Sequence, residues 1–475
     1  MSTKGKSNLS RERIEFYSPI SIALKANKKN IFDTENKIVT SSNVDYPRFE
    51  HGFHHYIHSD KNKTKVLDSF KGKKKVYYVM NEFERYIDDY DNDIGSLSKN
   101  YFNLKNKPEI ITRSFYKMWE IFFYFDLVDI SSKNFTSIHI SNGPNPFAQA
   151  TMLYRDMYGD SKKDSYHALT STEKNTPLQD EFEKFYKKNV EYSNNISAFE
   201  KNVSGKADLI TGDRGKGWNL ENIQEQQSFD IIFEQIICAV KNQNKGGHFV
   251  CKFFETFTIT SLKFVSMLSQ LYTEVHFTKP LMSRGSNSEK YAICKGFKLS
   301  DKESKSLGKD LDEMYKKMHT LDKKSFLVDI FPNFEIEDEF KVSMITINKT
   351  IANEQLKSIN LILEYVDGMN YHGDTYRNSR DKQIKASEHW SGLFFPEPKK
   401  IETHRSQAKE LISKDRMKIG DEYDKLYQVL TLTDKSKRQQ SRTTKKTSKS
   451  KSKVTKTKKV KVKKVKVKKV IKSTA

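Results

Sequence analysis

Cysteine is scarce in this chain: Cys238, Cys251 and Cys294 are the only three in 475 residues. They form no Cys-x-x-Cys pair, and each lies in an apolar segment. That excludes a disulfide scaffold and a cysteine-built zinc site, and it predicts reduced core thiols in a cytosol-like compartment. Long apolar runs are missing too. No stretch reaches the roughly 18 apolar residues needed to cross a bilayer, and residues 1–10 hold no apolar core, so a secretory signal is not expected. Acidic side chains vanish near the far end: Lys435 to Lys472 contains 19 Lys or Arg and no Asp or Glu. Removing those 19 from the net charge of +23 leaves +4 for everything before Lys435, so the body is only mildly basic.

What remains is 36% hydrophobic and 31% charged, enough for a large domain with a full core and polar extensions. The pattern divides into a flexible polar N-terminus (1–30), an extension packed on the core (31–109), a central domain (110–300), a mainly helical region (301–434) and a disordered Lys-rich tail (435–475). The tail ends in Lys-Val-Lys-Lys-Val repeats whose like charges repel, so it cannot fold alone. It suits a tether to RNA, DNA or an acidic partner through counterion release. In the extension, His51, His54, His55 and His58 cluster at spacings that place two or three imidazoles on one helix face and could bind a metal. No cysteine and no carboxylate stands at ligand spacing, so no metal site is expected.

The central domain alternates strand and helix as in a parallel α/β sheet. Phe135–Ser141 reads as a strand, Asn142 to Pro146 as a turn, and Phe147 to about Tyr158 as a helix. Ala207–Gly212 is a second strand. Phe229, Ile232, Phe233, Ile236, Ile237 and Val240 mark an amphipathic helix. Gly246-Gly247 turns the chain into a strand over His248–Phe253. Leu262, Val265, Leu268 and Leu271 mark the next helix, with strands at Glu274–Thr278 and Lys290–Phe297. Such a series predicts a Rossmann-like sheet whose ligands sit at the carboxyl ends of its strands. Beyond it, helices are expected around Leu311–Met318 and Gln355–Tyr365, with a short strand near Val342–Ile347.

Four polar residues fall where that sheet would present them. Lys117 lies in a helix pattern before the first strand, Asp213 ends the strand ADLITG, Lys252 sits in the apolar HFVCKFF, and Glu289 opens the last strand. A lysine inside an apolar strand is costly unless paired or neutral, which singles out Lys252.

The strings ITRSFYKMWEI, NISAFEKNVSGKADLITGD, LENIQEQQSFDIIFEQIICAVKNQNKGGHFVCKFFETFT and KPLMSRGSNSEKYAICKGF resemble the FtsJ-like (RrmJ-type) ribose 2′-O-methyltransferases. Within that family they are most similar to the cap-specific mRNA enzymes of eukaryotes and large DNA viruses. The resemblance covers about residues 110–297 and implies a Rossmann-like methyltransferase fold. It implies Lys117, Asp213, Lys252 and Glu289 as a catalytic tetrad, with Lys252 as general base. It also implies S-adenosylmethionine as cofactor, bound by Asn142, Gly143, Pro144, Phe147 and Asp213. Lys117 would lower the pKa of Lys252 and stabilise the alkoxide, while Asp213 and Glu289 orient the two ammonium groups.

The sequence also departs from that family. Where relatives carry a run resembling Gly-Pro-Gly-Gly-Phe, this chain has Gly143-Pro144-Asn145-Pro146-Phe147. Pro146 removes a donor and restricts Asn145, yet a proline suits a first helical position. After Asp213, small residues give way to Arg214-Gly215-Lys216. Near the adenine position the chain offers Asn189 and Glu191. Two readings follow: an active RNA 2′-O-methyltransferase acting on the first nucleotides of capped mRNA, or a catalytically degenerate RNA-binding subunit of an mRNA-processing complex. A packaging protein working through its tail is the third, against which the ordered body argues. Trp390 with Phe394 and Phe395 marks local packing, or else a stacking pocket for a cap guanine. The resemblance to large-virus members implies a viral protein in host cytoplasm or a viral factory, and packed in the virion as a further option.

Overall fold

A computed structural model describes residues 19–413 and 425, apart from 25, 46, 48–50, 71–80, 142, 144, 171–176, 188–189, 194–205, 216–220, 321–324 and 370–371. The Lys-rich tail, Asn142, Pro144, Asn189 and Lys216 therefore lie outside the described residues, as does the Glu191 side chain. In chain order the elements are β1 (Ile20–Ala23), β2 (Ile38–Ser41), α1 (His51–Lys63), α2 (Ile94–Tyr101) and α3 (Ser114–Phe125). Next come β3 (Thr136–Ile140), α4 (Pro146–Tyr158), β4 (Ser165–Leu169), α5 (Pro177–Tyr186), β5 (Val190–Ser193) and β6 (Ala207–Gly212). They are followed by α6 (Phe229–Asn242), β7 (Gln243–Phe253), α7 (Ile259–Leu271), β8 (Tyr272–Lys279) and β9 (Lys290–Phe297). Last are α8 (Asp301–His319), β10 (Phe326–Ile330), α9 (Asp338–Asp367), α10 (Gly373–Phe394) and α11 (401–413).

Eight strands form one sheet in the order β1-β8-β9-β7-β6-β3-β4-β5. β7, β6, β3, β4 and β5 run parallel, β9 is antiparallel to both β7 and β8, and β1 is antiparallel to β8. The chain builds β3, β4 and β5 toward one edge, then crosses back to lay β6 and β7 on the other side of β3. That makes the β3/β6 boundary the topological switch point, where open α/β sheets bind ligands at their carboxyl ends. Asp213 is held there, its backbone N–H donating to the Ile140 carbonyl at 2.8 Å.

The strands look as they do because both faces are covered. β3 is buried at four of its five positions, the near-continuous burial of a strand between two helical layers. On one face α6, α7, α8 and the first half of α9 enclose a core that includes Ile138, Phe233, Phe264, Leu268 and Met314. On the other, α3, α4, α10 and α11 enclose Trp119, Phe122, Tyr154, Trp390 and Phe394. α8 starts on a capping box, with the Ser300 side chain bonded to the Glu303 N–H and the Glu303 carboxylate returning to Ser300. β2 and β10 pair in a separate two-stranded sheet.

Three expectations are corrected. Val342–Ile347 is not a strand but part of α9. Its β-branched residues disfavour a helix by a few tenths of a kcal/mol each. Burial of Phe340, Val342, Met344, Ile347, Ile351, Ile359 and Ile362 along one long helix outweighs that. Residues 20–23, placed by sequence in a flexible terminus, form the edge strand β1 against β8. The strand expected over His248–Phe253 starts earlier: β7 begins at Gln243, and the expected turn at Gly246-Gly247 lies inside it, with Gly246 at φ +84° and residues 244–247 looped out between the Gln243–Ala207 and His248–Leu209 pairs.

Candidate functional site

Four elements deliver the tetrad to one place. Lys117 is the fourth residue of α3, a helix apolar nearly all round that buries eleven of its twelve residues. Asp213 follows β6. Lys252 is the penultimate residue of β7, at its carboxyl end rather than its middle, and Glu289 immediately precedes β9. The four pair crosswise: Lys117 Nζ donates to Glu289 Oε1 at 2.6 Å, and Lys252 Nζ lies 2.8 Å from Asp213 Oδ1 while donating to the Asp213 carbonyl at 2.7 Å. Their side chains are 10–14% exposed, enough to face a ligand yet too little for water to screen them fully.

Glu289 is the hub. Burial by itself raises its carboxyl pKa, but Lys117, Lys252 and Lys279 outweigh burial and hold it at about 2, so it stays ionised. Ser283 Oγ adds a hydrogen bond at 3.0 Å.

Lys279, at the end of β8, is a residue the sequence reading missed. Its ammonium bonds the Asn287 carbonyl at 2.9 Å, Asn287 Oδ1 at 2.8 Å and the Glu289 carbonyl at 2.8 Å, so it ties down the loop that carries Glu289. Burial pushes its pKa down to about 7 against the opposing charge of Glu289, with Lys117 and Lys290 adding to the fall. The available signal was a lysine closing an apolar strand, the same signal that singled out Lys252.

The loop after β3 is only partly described. Gly143 exchanges contacts with the Ser141 hydroxyl at 3.3 Å. Phe147 is buried and packs on Tyr291, ring centroids 5.9 Å apart, so its side chain wedges the start of α4 against β9. Pro146 occupies the first turn of α4, and the Asn145 carbonyl accepts the Gln149 N–H at 3.0 Å. Asn145 is 1% exposed, yet among the described residues neither its side-chain oxygen nor its nitrogen has a hydrogen-bond partner. A buried orphan amide at the switch point, at a helix N-terminus whose dipole favours anions, suits a polar ligand carrying a carboxylate.

The added charge after Asp213 is drawn aside: Arg214 is paired with Glu234 on α6 and its N–H bonds Gln235 Oε1 at 3.2 Å. A Cβ placed on Gly215 would lie 3.5 Å from Lys252 Nζ, so a bare backbone flanks the lysine head. The suggested stacking pocket for a guanine is not there. Trp390 is fully buried on α10, its Nε1 donating to Glu120 Oε1 at 2.9 Å, and Phe394 is buried beside it. The three cysteines are buried, and among the described residues none is joined in a disulfide, and no described helix is long and apolar enough to cross a membrane.

Residues 110–297 match the family model described as FtsJ-like methyltransferase. A human protein named cap-specific mRNA (nucleoside-2′-O-)-methyltransferase 1 is 30% identical over 178 residues, 36% of this chain and 21% of that protein. The corresponding protein 1A of Caenorhabditis briggsae is 27% identical over 282 residues, covering 54% of this chain and 32% of its own. The namesake from Trypanosoma cruzi is 40% identical over 91 residues, 19% of this chain and 25% of its own. The chain thus spans about a fifth to a third of the length of these relatives.

Proposed function

Starting from an FtsJ-like methyltransferase domain at residues 110–297, we propose that the chain transfers a methyl group to a ribose 2′-hydroxyl of RNA, at the first nucleotides of capped mRNA. The observation that carries this is the crosswise pairing of Lys117 with Glu289 and Lys252 with Asp213 at the switch point of the sheet. The named activity of the relatives supports the choice of RNA, ribose oxygen and cap.

The residues present suit S-adenosylmethionine. Gly143, Asn145 and the start of α4 would take its polar amino-acid end, with Asn142, Pro144 and Asp213 completing the set. When bound, the cofactor supplies an electrophilic methyl group. A ribose hydroxyl is a poor nucleophile near neutral pH, so the chain must hold it in line and remove its proton. Lys252 takes that role as the proton acceptor, with its head fixed by Asp213 on one side and bare backbone at Gly215 on the other. Lys117, anchored by Glu289, supplies positive charge for the forming alkoxide. Calorimetric titration of the full chain with S-adenosylmethionine tests the reading: one site per chain is expected. A chain that binds capped RNA but gives no heat with the cofactor is the RNA-binding subunit instead.

The Asn145 amide gives a sharper form of this test. An unsatisfied buried amide costs roughly 1–3 kcal/mol. Asn145→Ala is therefore expected to raise the melting temperature of the ligand-free protein and weaken cofactor binding about tenfold. A substitution that leaves the calorimetric affinity unchanged removes Asn145 from the site.

The Lys-rich tail adds affinity without sequence preference. In a chain ending at Asp434, binding to unrelated single-stranded RNA is expected to fall. The slope of log affinity against log salt should flatten by roughly 0.7 for each phosphate that the tail would have neutralised. An unchanged slope contradicts the tether.

A further inference from the structure

Helix α1 has little apolar grip on the body: among its thirteen residues only Ile57 and His58 are buried. Ile57 meets Phe257 and Ala352, with Phe53 and Leu356 at the margin. What else fixes the helix is a polar cluster. His54 and His58 lie one turn apart on α1 with ring centroids 4.5 Å apart. Glu255, two residues beyond the end of β7 and three beyond Lys252, reaches the same spot. Its carboxylate is 3.0 Å from His58 Nε2, and His54 Nε2 is 3.2 Å from the Asn222 carbonyl. One ligand atom from each of His54, His58 and Glu255 lies within 4.8 Å of the other two, and among the described residues no other group of three His, Cys, Asp or Glu side chains converges in this way.

The charge around the cluster points the same way. Glu225 is 2% exposed. Its Oε1 accepts from the Thr258 N–H at 2.9 Å and the Thr258 hydroxyl at 2.7 Å, while Oε2 has no hydrogen-bond partner among the described residues. Burial raises the Glu225 carboxyl, and the nearby charge of Glu255 adds to that. One buried carboxylate, Glu255, thus sits beside the imidazoles, with a second, Glu225, close enough to feel its charge, and no lysine or arginine is bonded to either among the described residues. Burying negative charge without a cation is costly, and a divalent ion removes the cost.

We propose that His54, His58 and Glu255 form a site for a divalent first-row transition ion of the zinc type, which pins α1 across the carboxyl end of β7. Two imidazoles at i and i+4 on a helix with one carboxylate form a three-ligand set of the kind Zn²⁺ accepts, with about 2.0–2.2 Å to each donor and a fourth position for water. Small side-chain rotations bring donors already within 4.8 Å onto one ion. The ion clamps the N-terminal helix beside the strand that bears Lys252. The clamp stands apart from methyl transfer, so metal binding and catalysis can fail separately.

The test is titration of the chelator-stripped full chain with ZnCl₂, read by calorimetry and melting temperature. One ion per chain with sub-micromolar affinity and a raised melting temperature are expected. His54→Ala, His58→Ala and Glu255→Gln should each weaken binding at least tenfold, whereas His55→Ala, on the exposed side of α1, leaves it unchanged. His54 is only partly buried, so its variant folds and decides the matter if the other two do not. X-ray absorption of the loaded protein should give nitrogen and oxygen neighbours only, without sulfur. Absence of saturable zinc binding, or undiminished binding in His54→Ala, overturns the proposal.

Discussion

Lys252→Ala is expected to lower methyl transfer to RNA by about 10²- to 10⁴-fold, the range for loss of a positioned general base, while leaving the fold and cofactor affinity near those of the parent. Lys252→Arg separates proton removal from charge. An arginine keeps a cation beside Asp213 but does not give up its proton at any working pH. The arginine variant is therefore expected to be as inactive as the alanine one. Some loss of stability accompanies Lys252→Ala, because Asp213 loses the ammonium at 2.8 Å. The pair Lys252→Ala with Asp213→Asn recovers that stability but not the activity. The measurement is single-turnover transfer of labelled methyl to a short capped RNA, alongside thermal melting. An alanine variant that turns over at the parent rate contradicts the assignment of Lys252.

The largest stability loss is expected at Glu120, three residues after Lys117 on α3. Its carboxylate is fully buried and accepts the Leu281 N–H at 2.8 Å, the Met282 N–H at 2.9 Å and Trp390 Nε1 at 2.9 Å. Burial raises its pKa to about 7 against those donors, which pull it down. Glu120→Ala leaves those three donors unpaired, together with the Tyr124 hydroxyl that donates to the same carboxylate at 3.3 Å, and opens a cavity under Trp390. At roughly 1–3 kcal/mol for each unpaired group, a loss of at least about 3 kcal/mol follows, measured by urea unfolding. Residues 281–282 begin the loop that ends at Glu289, so methyl transfer falls too, even where the protein remains folded. A loss below about 1 kcal/mol would show that the three donors find other acceptors and that Glu120 does not hold this loop.

Lys252 was legible in the sequence because its charge conflicts with the apolar HFVCKFF around it, and such a charge needs a partner that only a site or a buried ion pair supplies. Lys117, Asp213 and Glu289 were named beside it through the family resemblance, and the structure brings the four together. The core strands were legible for the same reason that they are buried: Ala207–Gly212 and Lys290–Phe297 form with the bounds expected. Pieces whose reason lies far away in the chain were not. β1 is four residues that become a strand because β8 offers an open edge. Val342–Ile347 reads as extended locally and becomes helical because the apolar stripe runs on to Ile362. The histidines of α1 showed no carboxylate at ligand spacing because Glu255 arrives from 197 residues away. Trp390 looked available for stacking, and its actual partner, Glu120, lies 270 residues earlier.

The central proposal is that the paired Lys117, Asp213, Lys252 and Glu289 set serves methyl transfer onto a ribose 2′-oxygen. The most direct test gives the full chain labelled S-adenosylmethionine and a short RNA, capped or uncapped, and maps the labelled position after nuclease digestion. Label is expected on the 2′-oxygen of the first nucleotides, dependent on the cap and absent with Lys252→Ala. Label on a base, or none on either RNA from a protein that binds the cofactor, would contradict the assignment.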